Sequence, residues 1–319
     1  MAKPKRIVSL ISSGTEILYG LGLGDRVVAV SHECDFPPEV ADKPRVTVSH
    51  IEDSAASGAI DDQVRQKSKA GEPLYGIDEA AIARLAPELI VTQAQCDVCA
   101  VKYDDVVAAV ERINPQQPAS IISLSPMSLT DILQDIRRIG QAADCRMEAE
   151  AYVAALGNRI TAVQSTLADL ANSDRPRTAI LEWIDPPMLA GNWMPELLEL
   201  AGGRCPLTIP GKHSAYIEWK KIVHFDPEVI VVGPCGFDLD RTLEEARMLS
   251  GFEDWPSITA VRRGRVFAVD GNAYFNRSGP RIVDSLELLS HLLHPNRCAA
   301  SGGIKNGFRI VPHEGSRSA

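Results

Sequence analysis

Short runs of β-branched residues alternate with amphipathic helical segments along most of this chain, and no other feature limits the fold as strongly. Strands that alternate with helices in this way form parallel βαβ units. The strands that the pattern predicts are Ile7–Ile11, Val27–Val30, Leu89–Thr92, Ser120–Leu124, Thr178–Leu181, Val229–Val232 and Val266–Val269. The sequence therefore predicts an α/β fold with parallel sheets.

A long helical stretch interrupts this alternation near the middle of the chain. Leu129–Ala142 and Arg146–Leu170 both have helical periodicity, and the second is about 25 residues or roughly 37 Å long. The α/β pattern then starts again, and 319 residues are enough for two cores. We therefore expect two Rossmann-like lobes joined by one helix. The predicted boundaries are an N-terminal lobe over 1–142, a connecting helix within 143–175, a C-terminal lobe over 176–296 and a flexible tail over 297–319.

Charge and hydropathy exclude two classes of partner. The chain has 33 Lys and Arg against 42 Asp and Glu, a net charge of −9, which does not suit binding to nucleic acid phosphates. It has no run of about 18 apolar residues, so no membrane span is expected. The first apolar run, Ile7–Ile11, is too short for a secretory signal, and we expect a cytoplasmic protein.

Ligands of open parallel sheets bind beyond the carboxyl ends of the strands. Two lobes that face each other would bring the loops after their strands to one cleft. The candidate ligand-binding residues in these loops are Glu16, His32, Trp183, Asn192, Trp193, Tyr274 and Asn276. Simpler roles are open for some of them: Glu16 suits a helix start, His32 can be a hydrogen-bonding loop residue, and Trp183 or Trp193 can pack the second lobe rather than wall a flat ligand.

Four of the seven cysteines also fall in these loops, namely Cys34, Cys96, Cys99 and Cys235. A Cys-x-x-Cys turn brings two sulfurs to the same side, where they can bind one soft metal ion. Thiolates from three loops can complete a zinc site or hold an iron–sulfur cluster. The alternatives are free thiols near a cleft, or a redox pair formed by Cys96 and Cys99 alone.

Several segments resemble the cobalamin- and siderophore-type solute-binding proteins of ABC importers. Arg6–Leu10, Ser13–Leu18 and Gly22–Ser31 are similar to the opening of that family. Leu85–Val91 and Phe225–Val231 look like the segment that recurs in this family where the chain enters a strand, once in each lobe. With Ala260–Val269, which looks like its late strand, the resemblance covers roughly residues 6–294.

This resemblance implies the helical-backbone class of binding proteins, with a small molecule or metal chelate in the cleft. It also implies docking onto a permease through one acidic residue per lobe, for which Glu79 and Glu218 are the candidates. His32–Asp35, Gln95–Tyr103 and Gly233–Gly236 look like a cobalamin-binding-protein-like subgroup. The exported members carry a signal or lipid anchor and seldom present thiols in the cleft. This sequence differs in both respects, because no such signal is visible and cysteines fall in the predicted cleft loops, so we expect a cytoplasmic binding role.

The first hypothesis is a cytoplasmic binding protein that holds a corrinoid such as cobalamin, or a centre ligated by the four cysteines. A conventional importer component that lacks its export signal is the second. An enzyme with a cysteine-ligated zinc or iron–sulfur centre is the third, and a redox protein that uses only Cys96 and Cys99 is the fourth. Catalysis is the less favoured class, because the chain has no GxSxG elbow, no P-loop and no GxGxxG that opens a helix after a strand.

Overall fold

The computed structural model describes residues 4–96, 98, 100–300, 304 and 306–312. The chain divides into two compact units. Unit 1 comprises the described residues within 1–55, 59–126 and 130–156, and unit 2 those within 56–58, 127–129 and 157–319.

Unit 1 is built around a parallel sheet with the strand order β2-β1-β5-β6 and a separate antiparallel pair, β3-β4. Its strands are β1 (Ile7–Ser9), β2 (Val27–Val30), β3 (Thr47–Ser49), β4 (Tyr75–Ile77), β5 (Leu89–Gln93) and β6 (Ser120–Leu124). In the register, Val8 pairs with Ala29 on one side and with Ile90 on the other. Both faces of β1 are buried, which is why these strands read as continuous apolar runs.

Helices lie between and after these strands in the first half of the chain. They are α1 (Ser12–Gly20), α2 (Ser57–Ala70), α3 (Glu79–Leu85), α4 (Tyr103–Ile113), α5 (Leu129–Ala142) and α6 (Arg146–Thr166). Helix α3 has both of its ends fixed by local chemistry. The Asp78 side chain accepts the Ala81 N–H over 2.8 Å at the start, and Ala86 ends the helix in the left-handed region with φ of 44°.

The long helix α6 is shorter than predicted. It has 21 residues and ends at Thr166, not at Leu170, because the chain turns there: the Leu170 N–H donates to the Leu167 carbonyl over 3.1 Å. Residues of α6 up to 156 belong to unit 1 and the following residues belong to unit 2.

Unit 2 contains a mixed sheet with the strand order β12-β11-β10-β7-β8-β9. Its strands are β7 (Thr178–Trp183), β8 (Met188–Leu189), β9 (Ala215–Tyr216), β10 (Val229–Val232), β11 (Val266–Val269) and β12 (Phe308–Ile310). Strands β7, β10 and β11 are parallel, as expected. Strands β8, β9 and β12 are antiparallel additions at the edges, and β12 comes from the segment that was expected to be a flexible tail.

The helices of unit 2 are α7 (Met194–Leu200), α8 (Trp219–Phe225), α9 (Leu239–Glu245), α10 (Thr259–Arg262) and α11 (Ile282–Leu293). Strands β7, β8, β10 and β11 share one core with α8 and α10, which includes Leu181, Ile222 and Val232, each fully buried. The prediction of an α/β fold with parallel strands in both halves is confirmed. In the described part of the chain, no helix combines the length and the apolar character that a membrane crossing needs.

Candidate functional site

In unit 1, the loop after β2 is fastened to the first turns of α1. The Ser12 hydroxyl donates to the Glu33 carbonyl over 2.9 Å, and Thr15 Oγ1 lies 3.1 Å from the Cys34 sulfur. Glu16, the neighbour of Thr15, is only 4% exposed. This predicted ligand residue is therefore buried in unit 1, and its contact with a ligand stays a prediction.

His32 is held in one orientation by a residue of β3. Its backbone N–H donates to Thr47 Oγ1 over 2.9 Å, and its ring Nδ1 lies 2.7 Å from the same oxygen. The ring lies against Tyr75, with the two centroids 5.4 Å apart, and Nε2 lies 3.4 Å from a carboxylate oxygen of Glu33. His32 in the loop after β2 and Tyr75 in β4 therefore form a positioned aromatic pair, of which sequence analysis found only His32.

The last side chain of β5 shapes the turn that carries the Cys-x-x-Cys motif. Gln93 Oε1 accepts the backbone N–H groups of Gln95 and Cys96 over 2.7 and 2.8 Å, and Gln93 Nε2 donates to the Cys96 carbonyl over 2.6 Å. The Tyr75 hydroxyl donates to the Val98 carbonyl over 3.0 Å. The turn is thus joined to β4, which brings it near His32.

The four-cysteine centre gains no support from the structure. Cys34 is only 1% exposed and its sulfur contacts Thr15, whereas Cys235 is exposed on unit 2. Cys99 lies outside the described residues. Within the described part of the chain, no three His, Cys, Asp or Glu side chains are grouped as a metal ion would require. The inference from topology failed for Cys34 because its side chain points into the interior rather than out of its loop.

In unit 2, Glu182 near the carboxyl end of β7 fixes the position of the loop that precedes β9. The Ser214 hydroxyl donates to Glu182 Oε2 over 2.7 Å and accepts the Gly191 N–H over 2.9 Å. Burial raises the pKa of the Glu182 carboxyl above its usual value, and the hydrogen bonds from Ser214 and Gly191 oppose that rise. A Cβ on Gly191 would overlap the backbone of the Ser214 loop, so only glycine permits this approach.

Trp183 is the last residue of β7, and its ring meets a ring from the loop after β10. The Trp183 and Phe237 centroids lie 5.4 Å apart in an edge-to-face arrangement. The guanidinium carbon of Arg241 lies 3.5 Å from the Phe237 centroid. Because β7 and β10 are paired with Leu181 opposite Val232, their carboxyl ends adjoin and bring these side chains together. Sequence analysis found Trp183 but neither Phe237 nor Arg241.

The loops after β10 and β11 contact each other closely. The Asn276 side chain donates to the carbonyls of Gly233 and Gly271, over 2.9 Å in each case. A Cβ on Gly271 would overlap the Pro234 carbonyl oxygen. Asn276 therefore bridges these two loops, and its direct contact with a ligand stays a prediction.

The remaining predicted residues of unit 2 fall at different depths. Trp193 is 5% exposed and donates from Nε1 to the Phe275 carbonyl over 2.8 Å, so it packs inside unit 2. Asn192 has a left-handed φ of 53° and contacts Lys212 through its backbone N–H. Tyr274 is half-buried, and burial raises the pKa of its phenol. The ligand roles of these three residues stay predictions.

Both candidate docking carboxylates form ion pairs at the surface. Glu79 contacts Arg112 over 2.6 Å, and Glu218 contacts Lys221 over 2.9 Å. The hydrogen bond from the basic partner lowers the pKa of each carboxyl. Both groups therefore stay charged at neutral pH, and their role in docking stays a prediction.

Two α/β units, with aromatic and polar groups in the loops that follow their parallel strands, define a binding protein for a small solute. The chain belongs to the periplasmic binding protein family, whose sequence model matches residues 7–273. A vitamin B12-binding protein of Photorhabdus laumondii is 24% identical over 307 residues, which cover 92% of this chain and 90% of that protein.

Solved structures agree on the fold. The periplasmic vitamin B12 binding protein of Vibrio cholerae superposes with a TM-score of 0.65 at 20% identity, over 92% of this chain and 98% of the other. A periplasmic heme-binding protein of Roseiflexus sp. RS-1 superposes with a TM-score of 0.67 at 21% identity, over 91% and 98%. The resemblance drawn from the sequence segments is therefore confirmed. Of the hypotheses for function, the conventional importer component has the better support.

Proposed function

We propose that this protein is the solute-binding component of an ABC importer and that its ligand is a metal-containing tetrapyrrole, with cobalamin as the first candidate. The observation that carries this proposal is the similarity to the vitamin B12-binding relative along nine-tenths of both chains. The heme-binding structure of the same fold makes heme the competing ligand.

Positioned aromatic side chains in each unit support the proposal of a flat ligand. Unit 1 offers the His32–Tyr75 pair and unit 2 offers Trp183 against Phe237. Aromatic faces bind flat rings with large apolar contact at a low cost in conformational entropy, because each side chain is already held by neighbours. A macrocycle such as a corrin or a porphyrin presents a ring of this kind.

Equilibrium titrations of the purified protein test this proposal. Hydroxocobalamin, cobinamide, hemin and a ferric hydroxamate siderophore are titrated separately by calorimetry and absorbance, and each is then competed against cobalamin. We expect saturable binding of one cobalamin per chain and weaker binding of the siderophore. If hemin binds more tightly than cobalamin, heme becomes the proposed ligand. If none of the four compounds binds, the proposed function is refuted.

Variants at the aromatic residues connect binding to the site. Tyr75→Leu and Trp183→Leu should each weaken cobalamin binding about two- to tenfold, which corresponds to the typical worth of one aromatic contact. Val48→Ala and Met248→Ala are matched controls, because both residues are exposed apolar side chains of the same two units. If the controls weaken binding as much as the two leucine variants do, the ligand does not bind at these residues.

The compartment and the transport partner are part of the same proposal. An importer component acts on the outer side of the membrane, so this proposal differs from the cytoplasmic location expected from the sequence, and fractionation of the native cells would decide between the two. Docking through Glu79 and Glu218 predicts that the Glu79→Gln and Glu218→Gln double variant binds cobalamin normally but no longer supports its uptake. Normal uptake by the double variant would refute this docking role.

A further inference from the structure

The imidazole of His32 is fixed in unit 1 by two residues. Its Nδ1 atom lies 2.7 Å from Thr47 Oγ1, and its backbone N–H donates to the same oxygen over 2.9 Å. Its ring lies against the ring of Tyr75, with the centroids 5.4 Å apart. Thr47 belongs to β3 and Tyr75 to β4, and these two strands pair with each other, so both supports come from one antiparallel ladder. The ring is therefore held in place before any ligand arrives.

The other ring nitrogen of His32, Nε2, lacks a comparable support. Among the residues that the structure describes, this buried atom has no hydrogen-bond partner. A carboxylate oxygen of Glu33 lies 3.4 Å from it, which is longer than the ~2.7–3.2 Å of an ordinary hydrogen bond. A buried polar atom without a partner costs free energy in the folded protein, so a partner that comes from outside the chain recovers that cost.

The contact with Thr47 permits the tautomer that binds a metal. A hydroxyl oxygen has two acceptor positions, so Thr47 Oγ1 can accept both the backbone N–H and an Nδ1 proton of His32. In that tautomer, Nε2 carries a lone pair. Histidines that bind metals are held in this way, because the second ring nitrogen donates to a neighbouring group and fixes the orientation of the ring.

A metal that is already chelated suits a single nitrogen of this kind. Within the described part of the chain, no three His, Cys, Asp or Glu side chains are grouped to hold a free metal ion. In a corrin or a porphyrin, the macrocycle fills the equatorial positions of the metal, and only an axial position is open to a protein atom. The side chains of His32 and Glu33 are 19% and 41% exposed, so the surroundings of Nε2 border solvent.

We propose that His32 Nε2 binds the metal of the tetrapyrrole as an axial ligand. This inference rests on the proposed function and names the atom of this chain that contacts the metal. With the aquo form of hydroxocobalamin, the lone pair of Nε2 forms the new bond to Co(III), and the bound water leaves with its own electron pair. The oxidation state of cobalt does not change. With heme, the same nitrogen binds iron.

Two cobalamins that differ at one axial position test this inference. Hydroxocobalamin carries an exchangeable water at neutral pH, whereas cyanocobalamin carries a tightly bound cyanide at the same position. Each is titrated at equilibrium into the wild type, His32→Ala and His50→Ala, and the absorbance of the bound corrinoid is recorded. His50→Ala is the matched control, because His50 is an exposed histidine of the same unit. A thermal melt of each variant shows whether it is folded.

We expect the wild type to bind hydroxocobalamin about tenfold or more tightly than cyanocobalamin, with a shift of the corrin absorbance bands that cyanocobalamin does not show. His32→Ala should lose both the preference and the shift, whereas His50→Ala should keep both. Because the two ligands are compared on the same variant, a general loss of stability does not imitate this result.

Equal affinity of the wild type for the two cobalamins, or a preference that persists in His32→Ala, would overturn this inference and leave the proposed function intact. If hemin is the tighter ligand, the Soret band of the bound heme should differ between the wild type and His32→Ala, and identical bands would overturn the inference. If neither the cobalamins nor hemin bind, the proposed function and this inference both fail.

Discussion

Replacement of Ser214 by alanine should destabilise unit 2 in a pH-dependent way. The Ser214 hydroxyl both donates and accepts: it donates to the Glu182 carboxylate over 2.7 Å and accepts the Gly191 N–H over 2.9 Å. Ser214→Ala removes both hydrogen bonds without adding volume. The loop that precedes β9 then loses its polar attachment to the end of β7.

The expected cost follows from the two bonds. A hydrogen bond to a charged group contributes about 1.5–3 kcal/mol and a neutral one about 1 kcal/mol. Ser214 and Glu182 are both half-buried, so water replaces part of the loss. We therefore expect Ser214→Ala to lower the free energy of unfolding by about 2–3 kcal/mol, near the lower part of that sum.

The sign of the pH dependence follows from the pKa of Glu182. Burial raises this pKa above its ordinary value of 4.5. The folded state therefore holds the proton more tightly, and stability falls as the pH rises from about 4.5 through the raised pKa. Glu182→Gln abolishes this fall. Because Ser214 stabilises the ionised form, the cost of Ser214→Ala should be larger at pH 8 than at pH 4.5.

Tryptophan fluorescence during urea unfolding measures this effect in unit 2 alone. All four tryptophans of the chain, Trp183, Trp193, Trp219 and Trp255, belong to that unit. Ser250→Ala is the matched control, since the Ser250 hydroxyl donates to the Arg247 carbonyl at an exposed site. A Ser214→Ala cost within about 0.5 kcal/mol of the control at both pH values would refute the reasoning.

Three further predictions concern backbone packing, an ion-pair network and the site in unit 1. Gly271→Ala should lower the free energy of unfolding in urea by about 1–3 kcal/mol, because the added Cβ overlaps a neighbouring carbonyl. Gly251→Ala is the control, and it should lower this free energy far less because the space around Gly251 is open. Arg159→Met removes a guanidinium that contacts two carboxylates of α11 over 2.5 and 2.8 Å. It should lower the free energy of unfolding by about 1–2 kcal/mol at low salt and by less in 1 M NaCl. A decrease that does not depend on salt would contradict the ionic explanation. Thr47→Val removes both hydrogen bonds to His32. It should weaken cobalamin binding about threefold or more and lower the melting temperature by a few degrees, as titration and a thermal melt would show.

The central strands could be predicted because burial on both faces leaves an uninterrupted β-branched run, as in β10, whose four residues are all buried. Strands β8 and β9 have two residues each, too few for any periodic pattern to emerge. Strand β12 pairs with a partner about 40 residues earlier in the chain, so local sequence held no sign of it. The central parallel strands could thus be recognised from the sequence, whereas the short strands added at the sheet edges could not.

The candidate site, too, could be predicted only in part from the sequence. The rule that ligands bind beyond strand ends led directly to His32 and Trp183. Their ring partners, Tyr75 and Phe237, come from elements about 43 and 54 residues away, and only the tertiary fold brings them together. A glycine-rich loop that ends in an aromatic residue was the one available signal for Phe237. The direction in which the Cys34 side chain points depends on packing against α1, which spacing alone does not encode.

The most direct test of the account is an absorbance spectrum with metal analysis of protein purified without oxygen, recorded before and after one equivalent of hydroxocobalamin and gel filtration. The account predicts no stoichiometric iron or zinc before the addition, and corrinoid bands that stay with the protein in a 1:1 ratio afterwards. Stoichiometric zinc, or iron with broad absorbance near 400 nm, in a protein that retains no corrinoid would contradict the account and restore a cysteine-ligated centre as the function of this chain.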